Sequence, residues 1–510
     1  MKNKILRYLP LLVGFMLFFS CDEGFDELNT NEVDPIAIDP AFILNNAIIG
    51  LSFGGGGPLL YDIGIVQHII SPNSGVITGA NYNQDNRNAT EDMWIDYYRS
   101  VIKHTRDLIA QVEDQPGRSN LMHMARIVQA YAFMVLTDTY GDIPYFDGGK
   151  GFTDQVVFPE YDAQEDIYPD IIQELQSAVA ALSASGGTEA SEVMYSGDID
   201  KWKRLGNSLL LRAGMRLSKV NPGQAQQVAA AAFQAGTMQS NADNFVIRHD
   251  NNYQNGFGAT LNGTEANNFY LVATFVDYLQ ENNDPRLGAI AVRYVGATSG
   301  PEQTASRAST DPSVQIGMPM GHDNNTAVAA AAADGLASFY DYTQADRSRV
   351  VKVNAPMYLA TYAQTQLLLA EAAQRGWITG NAADFYAAGV RAHMEQMADY
   401  DPASTIAESD IVSYLAAHPY DSANALEQIN TQYWVASFLN GPEAFANFRR
   451  SGYPDLAPNP FPSQDLTSEE FIRRLTYPSS EIGVNTANVN AAISRMGPDI
   501  LDTRVWWDVQ

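Results

Sequence analysis

Apolar residues recur along this chain at three- and four-residue spacing, the period of a helix with one buried face. In EDMWIDYYRSVIKHTRDLIAQV (91–112), Trp94, Tyr97, Tyr98, Val101, Ile102, Leu108 and Ile109 share a stripe. NLMHMARIVQAYAFMVLTDTYG (120–141) follows after a break at Pro116 and Gly117. QEDIYPDIIQELQSAVAAL (164–182) precedes DKWKRLGNSLLLRAGMRLSKV (200–220), which Asn221 and Pro222 end. PMYLATYAQTQLLLAEAAQRGW (356–377) precedes NAADFYAAGVRAHMEQM (381–397), with Gly376 and Gly380 bracketing a tight turn. Paired helices of about 34 residues with Ala, Leu and Tyr at their contacts predict tetratricopeptide-type packing. A generic helical domain fits the same pattern.

The periodicity lapses twice. Residues 53–90, with FGGGGPLLY and SPNSGVITGANYNQDNRNAT, and residues 242–351 are rich in Gly, Asn, Ser and Thr. Long irregular segments within an ordered domain carry function more often than packing. The expected architecture is mainly α, with a helix-pair scaffold beside a loop-rich lobe, and residues 41–510 forming a single body.

At the N-terminus Lys2, Lys4 and Arg7 precede an apolar run from Leu9 to Phe19 and a small residue, Ser20. This is the order of a secretory signal, and the run is shorter than the roughly 20 residues of a membrane-spanning helix. Cys21 comes next and is the only cysteine in the chain. Its thiol is the nucleophile that a lipoprotein signal presents for alkylation, so residues 1–20 read as a lipoprotein signal peptide and Cys21 as the lipidated residue. Leu17 stands one place earlier than the leucine usual in such signals. Residues 21–40 are acidic and too polar to fold alone, and read as a tether.

Composition narrows the partners. Hydrophobic residues make up 45% of the chain, enough for a full core, and no thiol follows Cys21 to staple it. A formal net charge of -28 repels phosphate backbones, which excludes nucleic acid, and disfavours electrostatic docking on anionic lipid.

The usual catalytic signatures are missing. There is no Gly-x-Ser-x-Gly elbow and no His-Glu-x-x-His, and His104 and His123 lie inside amphipathic helices. GGK (148–150) lacks the first glycine of a phosphate loop. DNNYQNG, from Asp250, resembles a calcium loop, but Gly256 falls one place late and no Glu closes it. No cofactor or metal is implied. Paired carboxylates of a glycoside hydrolase remain an alternative that sequence cannot place, and a surface adhesion protein is another. Aromatic residues among Asn and Asp are more telling, because sugar faces stack on rings while amides and carboxylates bind hydroxyls. Tyr82, Tyr253, Phe257, Tyr340 and Tyr342 have that setting. Each ring could equally seal a loop onto the core. Trp94, Trp202, Trp377 and Trp434 belong to the helical core by position, with Trp94, at a loop–helix junction, the next ligand candidate.

CDEGFDELNTNEVDP (21–35) resembles the mature start of the SusD/RagB-type outer-membrane lipoproteins of Bacteroidetes. YGDIPYF (140–146), YPDIIQELQSA (168–178), SGDIDKWKRLGNSLLLRAGMRL (196–217), NDPRL (283–287), LLLAEAAQRGW (367–377), ANFRRSGYPDL (446–456) and the Val505–Trp507 ending match in family order over nearly the whole chain. The resemblance implies a SusD-like fold with four tetratricopeptide-like pairs. It also implies a non-enzymatic cell-surface protein that captures oligosaccharide or peptide nutrient. Such a protein acts as the lid of a SusC-like TonB-dependent transporter, anchored to the outer membrane by lipid and facing the exterior. Binding residues vary within the family, so none is carried over.

Overall fold

The computed structural model describes residues 38–510 apart from 55, 74–77, 462, 464, 467–469 and 510. Cys21, the signal and nearly all of the tether lie outside the described residues. Among the described residues no helix is long and apolar enough to cross a membrane.

The first predicted helix forms in three pieces. Arg87–Tyr97 and Lys103–Val112 are α-helical, and Tyr98–Ile102 between them is a π-helical turn. The extra residue of that turn shifts the phase of the stripe. Trp94, Tyr97, Val101, Ile102 and Leu108 are buried, whereas Tyr98 and Ile109 are only partly covered. Lys103–Val112 packs on Ser119–Tyr140, and the order continues through Gln164–Ala181 to Ile199–Arg216. A further helix, Pro222–Ala235, was not expected. Asn221 does not simply end the preceding helix. Its side chain accepts from the Gln224 amide at 3.2 Å and so caps the next one, with Pro222 in the first turn.

The later pair also forms, with a changed start. Met357–Ala360 is a strand paired with Phe245–Ile247, and the helix begins only at Tyr362. Thr361 dictates this. Its hydroxyl accepts from the Gln364 amide while the Gln364 side chain accepts from the Thr361 amide, each at 3.1 Å. Tyr362–Gln374 packs against both Ala382–Tyr400 and Ala425–Ala436, and the latter against Gly441–Ser451. Gly376 and Gly380 both have positive φ in the intervening turn, as their spacing predicts.

Buried ion pairs tie these layers together. Arg216 reaches Asp138 at 3.0 Å and Glu443 at 2.6 Å, and Arg212 reaches Glu443 at 3.2 Å. Tyr433 donates to Glu443, and Tyr168 and the Trp507 indole donate to Asp138. Five helices and the C-terminal segment thus share one network in which each buried charge faces an opposite one, as burial requires.

Residues 242–351 are more ordered than their composition predicts. They contain the helices Gly256–Asn262, Ala273–Glu281, Arg286–Ile290 and Thr326–Ala333. Ala291–Tyr294 is flanked antiparallel by Ala308–Ser309 and Gln344–Ala345, and Ile69–Ile70 pairs with Tyr270–Leu271. Beneath the loops lie two small apolar clusters distinct from the main core. One gathers Ile70, Tyr270, Val272, Met318, Met320, Ala331, Leu336 and Tyr342, and the other Val292, Tyr294 and Ala297. These satellite cores let polar loops hold a fixed shape away from the helices.

Candidate functional site

Three loop segments meet at Asn81. Its side-chain amide donates to the Ser71 and His322 carbonyls at 2.8 and 2.9 Å, and its carbonyl accepts from the Gly321 amide at 2.8 Å. Asn459 in turn donates to the Ala80 and Asn81 carbonyls, both at 2.9 Å. Gly321 has φ +80, and a Cβ there would stand 3.0 Å from the Asn459 side chain. Glycine is therefore required both for the left-handed backbone and for the close approach. Short polar side chains thus knit segments that lie far apart in the sequence.

This knot presents two rings. Tyr82 and Phe461 stack with centroids 3.6 Å apart and planes 7° from parallel, and both are half-buried. Burial, followed by the charge and hydrogen bond of Asp323, raises the Tyr82 hydroxyl above the usual phenol range. Asp323 is itself held below the usual carboxylate range, first by the Thr326 amide and then by the Thr326 hydroxyl. Beside it, Nδ1 of His322 is shielded from solvent and has no hydrogen-bond partner among the described residues. Buried polar atoms rarely go unpaired, which makes this nitrogen an unusual feature of the knot. An aromatic face beside a carboxylate is a surface on which a sugar ring can stack and hydrogen-bond.

The other sequence-predicted rings are dispersed. Phe257 is a correction: it lies within Gly256–Asn262, only 1% exposed, in the main core. Asn255 caps that helix by accepting from the Gly258 amide at 3.0 Å, which turns the adjacent ring inward. Tyr342 is fully buried and donates to Asp334 at 2.6 Å. Tyr340 packs on the second satellite cluster and on Phe339, with ring centroids 4.3 Å apart. Tyr253 is exposed and lines a 230 Å3 hollow with Ile48, Val193 and Arg248. Asp250 in the same loop accepts from the Asn252 and Tyr253 amides, both at 2.8 Å, so its carboxylate serves the turn. Trp94 is largely buried, and it borders a 480 Å3 cavity between the π-helical turn and the Gly149–Phe152 loop. Among the described residues no ring contact joins Tyr82, Tyr253 and Tyr340. Phe461, His322 and Asp323 were missed. GMPMGHDNN and PNPFP were the available signals, an acid and a histidine among glycines and a ring among prolines.

Among the described residues no group of three or more His, Cys, Asp or Glu side chains is arranged to hold a metal ion.

Known structures share this architecture. A chitin-binding protein is 32% identical, with a TM-score of 0.82 over 92% of this chain and 100% of its own. A SusD-like protein of Bacteroidetes AC2a is 27% identical, with a TM-score of 0.80 over 93% of this chain and 100% of its own. A chitin-binding SusD homolog from Flavobacterium johnsoniae is 25% identical, with a TM-score of 0.75 over 92% of this chain and 98% of its own. Among curated proteins, none matches the chain. A family model described as "Starch-binding associating with outer membrane" matches residues 31–478. The helix pairs, the loop lobe and this match over most of the sequence make the chain a member of the SusD-like family.

Proposed function

We propose that this protein captures oligosaccharides of the chitin class at the cell surface and hands them to a SusC-like TonB-dependent transporter, over which it acts as a lid. The observation that carries the reading is the Tyr82–Phe461 stack, with the Asp323 carboxylate hydrogen-bonded to Tyr82. An N-acetylated sugar ring offers an apolar face to the stack and hydroxyls to the Asp323 carboxylate. The chitin-binding label of a 32% identical neighbour supports that choice among glycans. Cys21 carries the lipid anchor to the outer membrane, and the acidic segment from Asp22 onward leads to the exterior face and holds the body near its transporter. Tethering raises the effective concentration of lid at barrel without further contacts. The protein binds and does not hydrolyse.

Titration calorimetry with N-acetylglucosamine hexamer, maltohexaose and a mixed peptide digest tests this. Saturable binding of the first, with no new reducing ends on prolonged incubation, is expected. Binding of peptide alone would move the protein to a different nutrient class. New reducing ends would make it a hydrolase.

A further inference from the structure

The π-helical turn at Tyr98–Ile102 builds one wall of the 480 Å3 cavity. Turns of this kind concentrate at functional sites, and the volume falls within the roughly 300–1,000 Å3 of small-molecule pockets. Trp94, Tyr98 and Phe152 contribute rings, and Glu481 contributes a carboxylate. Phe152 is 75% exposed, a large apolar ring left in solvent at the cavity mouth. Tyr98 is fixed by donating to the Pro144 carbonyl at 2.6 Å. The loop opposite it is fixed by close approach, since a Cβ at Gly149 would meet the Ile102 side chain at 2.7 Å.

The charges in this cavity are not mutually neutralised. Arg99 is occupied by Asp96 at 2.9 Å. Glu481 accepts from the Tyr161 hydroxyl at 2.9 Å and forms no ion pair among the described residues. Lys103 lines the same cavity and likewise has no ion pair there. Aromatic faces attract an organic cation, and a carboxylate already oriented by a phenol can accept its N–H groups. The lysine adds a donor for a hydroxyl or carbonyl oxygen of the same ligand.

We infer that this cavity is a second saccharide subsite that takes a 2-amino-2-deoxy sugar unit, with its ammonium on Glu481 and its oxygens toward Lys103. The inference rests on the glycan-binding reading and adds to it. Besides N-acetylated units at the Tyr82–Phe461 platform, the protein would hold the deacetylated units that occur in partly deacetylated chitin.

The test is calorimetry of the whole protein at pH 5.5 and low salt, with glucosamine hexamer and N-acetylglucosamine hexamer titrated separately. Glu481→Gln keeps an acceptor for Tyr161 and removes the charge. It should weaken the glucosamine hexamer about tenfold and leave the N-acetylated hexamer unchanged. Phe152→Ala, at an exposed ring, should weaken the same ligand and serves if the first variant misfolds. Tyr82→Ala should do the reverse. Unchanged affinity for the glucosamine hexamer in both cavity variants, or its failure to bind the parent, would overturn the inference. So would preferential binding of triglycine that Glu481→Gln abolishes, because it would assign the cavity to peptide. If the N-acetylated hexamer fails to bind while the amine effect persists, the platform reading falls and the cavity assignment is supported.

Discussion

Tyr82 and Phe461 lie ring on ring, 3.6 Å between centroids, although one belongs to the first loop segment and the other to the last. Each ring shields one face of the other, so the pair offers ligand its outer surface and edges. Truncating Tyr82 or Phe461 to Ala should weaken chitin-oligosaccharide binding about two- to twelvefold, given about 0.5–1.5 kcal/mol for an aromatic contact of this kind. The melting temperature should change little, because both rings are half-exposed. Full affinity in both variants by calorimetry would place the platform elsewhere.

Phe257 should behave in the opposite way. With 1% of its surface exposed, Phe257→Ala opens a cavity in the main core and should cost about 3–5 kcal/mol of stability. Urea unfolding measures this. At a temperature where the variant remains folded, its glycan affinity should equal the parent's.

The Arg216–Glu443 pair is 1% and 6% exposed on its two side chains, and Arg212 shares the same carboxylate. Glu443→Gln leaves Arg212 without a carboxylate partner among the described residues and Arg216 with Asp138 alone, and should cost about 3–5 kcal/mol. The penalty should persist in 1 M salt, unlike that of an exposed pair. A destabilisation that disappears with salt would mean that water reaches the pair.

Two buried carboxylates give opposite pH dependences. Burial raises Glu371, but Arg450 and then Arg375 outweigh it and bring its pKa down to about 2. Its contribution is present above the unfolded value of 4.5 and is lost as pH falls toward 2. Asp62 is the reverse case. Among the described residues neither carboxyl oxygen has a hydrogen-bond partner, and burial, only partly countered by Arg449, pushes its pKa up to about 7. Its contribution is complete below 3.8 and is lost as pH rises toward 7. The expected slope in that window is about 1.4 kcal/mol per pH unit. Asp62→Asn should remove this slope and leave the acid limb intact, as denaturant curves from pH 3 to pH 8 would reveal. A slope that survives the substitution would assign it to another group.

For the anchor, Cys21→Ala should release the protein from the membrane fraction and abolish labelling by a palmitate analogue. Retention with the outer membrane would leave the attachment to another part of the chain.

The helices were legible because burial on one face writes a 3.6-residue period directly into the sequence. Ile199–Arg216 follows its stripe closely, with Asp198 accepting from the Asp200 and Lys201 amides at its start. Where another device overrides the period, the reading slipped. The capping box at Thr361 delays a helix that the apolar run alone would start earlier, and the cap at Asn221 starts one where a stop was expected. The site was legible only as a neighbourhood. Tyr82 was singled out for its polar flanks, but its partner Phe461 is brought in by the Asn81–Asn459 hydrogen bonds. Such side-chain to backbone bonds between remote segments leave no periodic trace. Phe257 had the same flanks as Tyr82 and went to the core, because local composition does not encode which way a capped helix turns its ring.

Asp138 has a further consequence for the order in which this molecule can assemble. Its carboxylate and carbonyl are bound by Arg216, Arg449 and the Trp507 indole. A chain emerging amino end first exposes the acid hundreds of residues before its last donor appears. Until then the acid has no complete set of partners in a dry interior, and local helix formation cannot bury it without penalty. Closure of the scaffold is therefore deferred until the distal segment arrives. Long-range contacts of this kind slow folding. A chain that has not closed is also the form that can be threaded through a membrane, the route that the proposed signal at residues 1–20 would require.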